Sequence, residues 1–306
     1  MPFPLSYPGL RCVLEHLEAV KRAHIIARAP GLQKINKLIP LCLENFCIDS
    51  NEVSINKLSI KCNKKEVKFQ MNGKTFSYKG LVSCEYKMKK LINYYICGRS
   101  IIHMDSLDWC DSFLPDDKGV NLKFRVNSLK AHFPEDFKTV IPLIDPRSFP
   151  LKTLVTIPNT STFDSQIVQL AETVILNFMI DQIVTVEDLK KLNNKTVIFE
   201  RFSFSRIEMI PLIKHHVETK KDIGTTFMIL SRSHYFIGIM LREFKQAFGD
   251  FRSDLDGVNE RFIPGSLKFC IPINKESRIQ VYTIEDPDER GRLKVVVKPV
   301  SEISGI

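Results

Sequence analysis

The residues best equipped for chemistry in this chain are its cysteines, one pair of adjacent histidines and one acidic loop. The cysteines, Cys12, Cys42, Cys47, Cys62, Cys84, Cys97, Cys110 and Cys270, include no C-x-x-C pair. Zinc sites draw on closely spaced ligands, and a disulfide framework belongs to an oxidising compartment. The scatter therefore predicts reduced, mostly buried thiols and no metal. His215-His216 falls in a helical pattern, where adjacent side chains diverge by about 100°, so the two rings do not share an ion. Asp254-Leu255-Asp256-Gly257 looks like a calcium loop. Setting Gly257 at the loop glycine, however, puts Arg252 at the first ligand position and Ile263 where a bidentate carboxylate is needed. There is no G-x-G-x-x-G, P-loop, G-x-S-x-G or H-E-x-x-H. The reading assigns no catalytic residue and no cofactor, and expects a protein that is not an enzyme. Trp109, in Asp108-Trp109-Cys110, reads as a packing residue.

Composition narrows the class further. The 306 residues are 44% hydrophobic and 26% charged, the balance of a globular chain. No run nears the ~18 apolar residues of a membrane span. Arg11, Glu15 and Glu18 interrupt what would be a secretory leader, so a cytoplasmic or nuclear protein is expected. The sequons at Asn159 and Asn194 are then inert. A net charge of +9 invites a nucleic-acid reading. Yet the basic clusters are short (Lys64-Lys65, Lys87-Lys89-Lys90, Lys220-Lys221), and only Tyr86, Tyr94 and Tyr95 lie near one of them as stacking platforms. A solvated basic surface is the preferred reading.

The elements that must position any site begin with a helical hairpin. Leu10, Val13, Leu14 and Leu17 follow the i, i+3, i+4, i+7 spacing of one helix face. Ser6 is placed to cap that helix, and Pro8 fits its first turn. A second helix over Lys21–Arg28 carries Ile25 and Ile26 and stops at Pro30-Gly31. A third, short one offers Leu32, Ile35, Leu38 and Ile39 and closes at Pro40. Three such helices cannot hold a core alone, so they must pack on the rest of the chain or on a partner.

The run FPLSYPGLRCVLEHLEAVKRAHIIARAPGLQKINKLI resembles the divergent F-box of a large nematode protein family. The stretches SFPLKTL, VTVEDL, IPLIK and LDGVNERFIPGSLKFCIPI resemble the domain of unknown function associated with it. The resemblance implies that the N-terminus binds the small adaptor subunit of a cullin-based ubiquitin ligase, and that the remainder holds a target protein. It implies adaptor-facing roles for Pro4, Leu5, Leu10, Val13, Leu14, Leu17, Ile25, Ile26 and Leu32. Two departures stand out. Pro4-Leu5 replaces the usual Leu-Pro, and the third helix lacks an aromatic residue.

From Glu44 to Tyr78 the period changes to two, and Asn72-Gly73 marks a hairpin turn, predicting an antiparallel β-meander. Ser83–Ile96 reads as a helix with Met88, Leu91, Ile92 and Tyr95 on one face, stopped by Gly98, and Ser100–Trp109 as a strand. Pro115–Gly119 reads as a loop and boundary. Apolar strands then recur at Leu122–Val126, Thr153–Val155, Thr173–Leu176, Thr196–Phe199 and Thr226–Ile229, separated by helix-like segments. Ile-Pro-Leu-Ile appears at 141–144 and again at 210–213. Thr185-x-x-Asp188 and Ser205-x-x-Glu208 have capping-box spacing. This rhythm predicts a leucine-rich-repeat-like strand-helix arc, with an ordinary parallel α/β sheet as the alternative. Alternation at Leu267–Ile273, Ile279–Val281 and Leu293–Val297 adds a C-terminal β-hairpin or three-strand cap. The expected fold is thus α+β or α/β in three parts: a helical segment over 1–43, a meander plus helix over 44–114, and a repeat-like body over 115–306. The expected activity is protein interaction without catalysis. The alternatives are a binding module unrelated to ubiquitin and a basic nucleic-acid binder.

Overall fold

Helical spacing in the first forty or so residues produces three short helices in the computed structural model. That structure describes residues 7–49, 51–63, 65–79, 83–96, 101–110, 123–179, 181–200, 205–255, 258 and 260–301. The helices are α1 (Tyr7–His16), α2 (Ala19–Arg28) and α3 (Gln33–Leu38), with one 3₁₀ turn at Pro30–Leu32. Ser6, the expected cap of α1, lies outside the described residues. Glu18 caps α2, its Oε2 accepting from the Val20 and Lys21 amides at 2.9 and 3.1 Å. Leu14, Ile26 and Ile39 form the centre of this bundle, with Leu10, Leu17, Leu32 and Ile35 packed around them.

The chain divides into two units, Met1–Phe149 and Pro150–Ile306. In the first, α3 leads into β1 (Leu41–Asp49), β2 (Glu52–Ile55), β3 (Leu58–Cys62), β4 (Glu66–Met71) and β5 (Lys74–Lys79), each antiparallel to the next. The meander starts at Leu41 rather than Glu44, because Leu41 and Leu43 already alternate with exposed Cys42 and Glu44. Asn72 and Gly73 both have positive φ, 51° and 76°, as the hairpin turn demands. Helix α4 (Cys84–Tyr95) is capped by Ser83 and buries Met88 and Ile92. Gly98, its expected stop, is outside the described residues, as are Ser100, Leu122 and the Pro115–Gly119 boundary. Strands β6 (Ile101–Trp109) and β7 (Lys123–Ala131) follow, then helix α5 (Pro134–Val140).

Periodicity did not reveal β1's second neighbour. Besides its antiparallel hairpin with β2, β1 runs parallel to β6, and β6 parallel to β7. The order in this unit is β7-β6-β1-β2-β3-β4-β5, so the sheet is mixed. The three parallel strands share an irregularity. The buried residue after Leu43, Met104 and Val126 comes three positions on, at Phe46, Leu107 and Leu129. At that level Glu44, Asp105 and Asn127 drop out of the paired register. A step of three turns every later side chain to the opposite face.

The second unit contains β8 (Thr153–Thr156), α6 (Thr160–Phe163), α7 (Gln166–Leu170), β9 (Thr173–Asn177), β10 (Ile183–Val184), α8 (Val186–Lys190), β11 (Thr196–Glu200), β12 (Arg206–Ile207), α9 (Met209–Thr219), β13 (Thr226–Ser231) and α10 (His234–Phe248). Three strands, β14 (Phe269–Pro272), β15 (Ser277–Glu285) and β16 (Leu293–Ser301), complete it. Strands β8, β9, β11 and β13 lie side by side in chain order, all parallel. Leu154, Val174, Val197 and Phe227 share one register row and are buried together. The C-terminal strands form the expected three-strand cap, with β16 antiparallel to β13. Only one expected capping box is real. Thr185 and Asp188 bond reciprocally at the start of α8, whereas Ser205 donates to the Met179 carbonyl and Glu208 accepts from the Val186 amide. The two Ile-Pro-Leu-Ile copies also diverge, into a 3₁₀ turn at Ile141–Leu143 and into the first turn of α9.

Candidate interaction surface on the N-terminal helices

Of the nine residues expected to face an adaptor, Pro4 and Leu5 lie outside the described residues. The other seven separate into layers. Leu14, 1% exposed, and Ile26 are the core of the helical bundle itself. Both are buried there, so a partner would reach them only by opening the bundle. Leu10, Leu17 and Leu32 are half-buried against that core. Val13 and Ile25 stand outside it, 45% and 41% exposed. Leu38, 74% exposed, was not among the nine. Ile39 takes the inward place beside Ile35 and leaves Leu38 at the surface.

The bundle is tied to the strands and helix that follow it. Asn56, in the β2–β3 turn, donates to Glu18 Oε1 at 2.8 Å, and the Tyr94 hydroxyl donates to the Ala23 carbonyl at 2.8 Å. Arg22 closes the far end. It is 2% exposed, and its guanidinium donates to Asn36 Oδ1 and to the carbonyls of Asn36, Ile39 and Pro40. These lie where α3 runs out of intrahelical partners. A cleft of about 200 Å³ lies beside it, lined by Arg22, Ala23, Asn36 and Tyr94. Lys37 also lines the cleft, and Lys21, Arg28 and Lys34 are exposed elsewhere on these helices.

The other expected chemistry is accounted for by packing. Trp109 is fully buried and donates its indole N–H to Thr139 Oγ1 at 3.0 Å. His215 and His216 sit half-buried on α9 with their rings edge to face, and His216 Nδ1 lies 3.0 Å from the Lys221 carbonyl. Burial holds His216 below its ordinary pKa. Tyr94 donates its hydroxyl to the Ala23 carbonyl and packs edge to face on Tyr95.

Sequence spacing hid one cluster. Among the described residues, Asp108, Cys110 and His132 bring three metal-ligating side chains within 4.8 Å of one another. Lys130 Nζ lies 2.9 Å from Asp108 Oδ2, and Cys110 Sγ donates to Asp108 Oδ1 at 3.3 Å. Burial and the Asp108 charge push the Cys47 thiol up to about 11 and the Cys110 thiol up to about 12. Shifts in this direction favour the thiol over the nucleophilic thiolate.

A family model described as a domain of unknown function, DUF3557, matches residues 84–232, just under half of the chain. The match opens at the first residue of α4 and closes one residue past β13, leaving out the helical bundle, the meander and the C-terminal cap. No curated protein and no solved structure matches the chain. Over residues 84–232 the chain is thus similar to a domain whose function is not established.

Proposed function

We propose that this chain is a non-enzymatic interaction protein, the substrate-recognition subunit of a cullin-type ubiquitin ligase. Helices α1–α3 would engage the adaptor, and the leucine-rich-repeat-like run of β8, β9, β11 and β13 would select a target. The observation that supports this most is the layering of the helical bundle. It satisfies its own core through Leu14, Ile26 and Ile39 and still leaves Val13, Ile25 and Leu38 at the surface. Binding energy at an interface is concentrated in a few side chains that become buried, and these three are available for that. Leu14 and Ile26 then act from inside by holding the helices together.

The test is capture of the purified ligase adaptor by the full-length chain and by the Val13→Glu/Ile25→Glu double variant. Both substitutions are at exposed positions, so the variant should retain its far-UV circular dichroism while losing capture. Capture that survives the double variant, or no capture by the unaltered chain, refutes the proposal. A second reading draws support from the Glu18–Asn56 and Tyr94–Ala23 hydrogen bonds. They fit a bundle that caps the meander inside a binding module unrelated to ubiquitin, and absence of capture would favour that reading.

A further inference from the structure

We propose that Asp108, Cys110 and His132 form a binding site for a zinc-class divalent cation at the carboxyl ends of β1, β6 and β7. These strands run parallel, so their carboxyl ends open together, the place where sites on parallel sheets gather. Register sets Cys47, Asp108 and Lys130 side by side. Cys110 and His132 stand two residues further along the same face. Between them Ile48, Trp109 and Ala131 point the other way and are fully buried, so the polar face cannot turn without exposing the core. The Cys110 amide donates to the Ile48 carbonyl at 2.9 Å, extending the β1–β6 ladder to the thiol-bearing residue.

Asp108 Oδ1 lies 3.3 Å from Cys110 Sγ and 4.0 Å from His132 Nε2. Ligands bound tetrahedrally to zinc at about 2.0–2.3 Å are about 3.5 Å apart, and the three donor atoms already lie within 4.8 Å of one another, so adjustments of up to about 1.3 Å would close the set. One thiolate, one imidazole and one carboxylate suit a borderline ion rather than calcium or magnesium, which take oxygen ligands. Lys130 holds Asp108 Oδ2 at 2.9 Å and leaves Oδ1 turned toward the other two donors, the orienting role of an outer partner. Cys47, level with Asp108 on β1, is the next soft donor on this face.

The experiment uses full-length protein stripped with a chelator and then titrated with Co²⁺ and with Zn²⁺. One equivalent of Co²⁺ should give a sulfur-to-metal charge-transfer band that Zn²⁺ abolishes and Mg²⁺ or Ca²⁺ leaves intact. Cys110→Ser should remove the band. His132→Gln, a change at a half-buried ring, should weaken affinity at least tenfold while far-UV circular dichroism stays unchanged. If Cys110→Ser does not fold, the His132→Gln isotherm decides. Uptake below half an equivalent, a band that persists in Cys110→Ser, or unchanged affinity in a folded His132→Gln protein overturns the proposal.

Discussion

Replacing Arg22 by methionine should loosen the end of the helical bundle by about 3 kcal/mol. The guanidinium makes four hydrogen bonds between 2.5 and 3.0 Å, three of them to main-chain carbonyls of residues 36–40. A bond to a charged donor is worth about 1.5–3 kcal/mol, so four independent bonds would exceed about 6. They are not independent, since all leave one rigid group. Methionine also returns part of the buried apolar contact, and the adjacent cleft of about 200 Å³ admits water to the abandoned carbonyls. These offsets bring the expected loss to the lower figure. Arg22→Lys keeps the charge but offers one compact ammonium in place of a fork, and should fall between. Amide exchange over residues 33–41 reads the effect locally, where about 3 kcal/mol corresponds to acceleration on the order of 100-fold. Acceleration under about fivefold there, or a lysine variant as damaged as the methionine one, would refute the reading of Arg22 as the clasp of α2 and α3.

Three further outcomes follow from the same geometry. Leu14→Ala, in the bundle core, should cost about 2–5 kcal/mol by urea denaturation, whereas Val13→Ala next to it should cost under about 0.5; equal costs would mean the inner and outer faces are misassigned. Asn194 is 2% exposed and donates to the carbonyls of Val168 and Ala171 at 2.7 and 2.6 Å. Asn194→Ala should therefore lower the melting temperature by roughly 5 °C through the second unit, and an unchanged melting curve would contradict it. Hydrogen bonds from Arg147 hold the Asp145 carboxyl down at about 2, well below its unfolded value of about 3.9. Its contribution is thus present above about pH 4 and lost as pH falls toward 2. Asp145→Asn should shrink the acid-induced loss of stability in that window, and an acid transition of the same size in both proteins would count against the pairing.

What the sequence made legible was local. Leu10, Leu14 and Leu17 announced α1, Asn72-Gly73 announced its hairpin, and Met88 with Ile92 gave the buried face of α4. The choice between Val13 and Leu14 as the inward residue was not legible. Both fall inside one apolar stripe, and only the position of Ile39 at the bundle centre selects Leu14. Ser205-x-x-Glu208 misled because the box spacing sits across β12 and ends where α9 has yet to begin. The parallel partnership of β1 with β6 had no local signature either. Its paired residues lie about sixty positions apart, with four strands and a helix between.

The same reason explains why the cysteines looked chemically idle. Spacing motifs such as C-x-x-C register ligands carried on one turn or hairpin, whereas parallel neighbours are separated by a whole crossover. Between β6 and β7 one offset serves throughout. Asn127 bonds Asp105, Lys130 bonds Asp108, and His132 stands level with Cys110, each pair 22 positions apart. A single strand register therefore predicts all three meetings, but the sequence does not display which register is used. The shared step of three residues matters as much. Had alternation continued unbroken from Met104, positions 108 and 110 would have pointed into the core and Leu107 and Trp109 out of it. Because the three strands take the step at the same level, the pairing survives while the faces exchange. Trp109 enters the core, and Cys47, Asp108, Cys110, Lys130 and His132 emerge together on the accessible side. Chemistry at this sheet end is thus set by a phase change in the strands, which no pairwise residue spacing encodes.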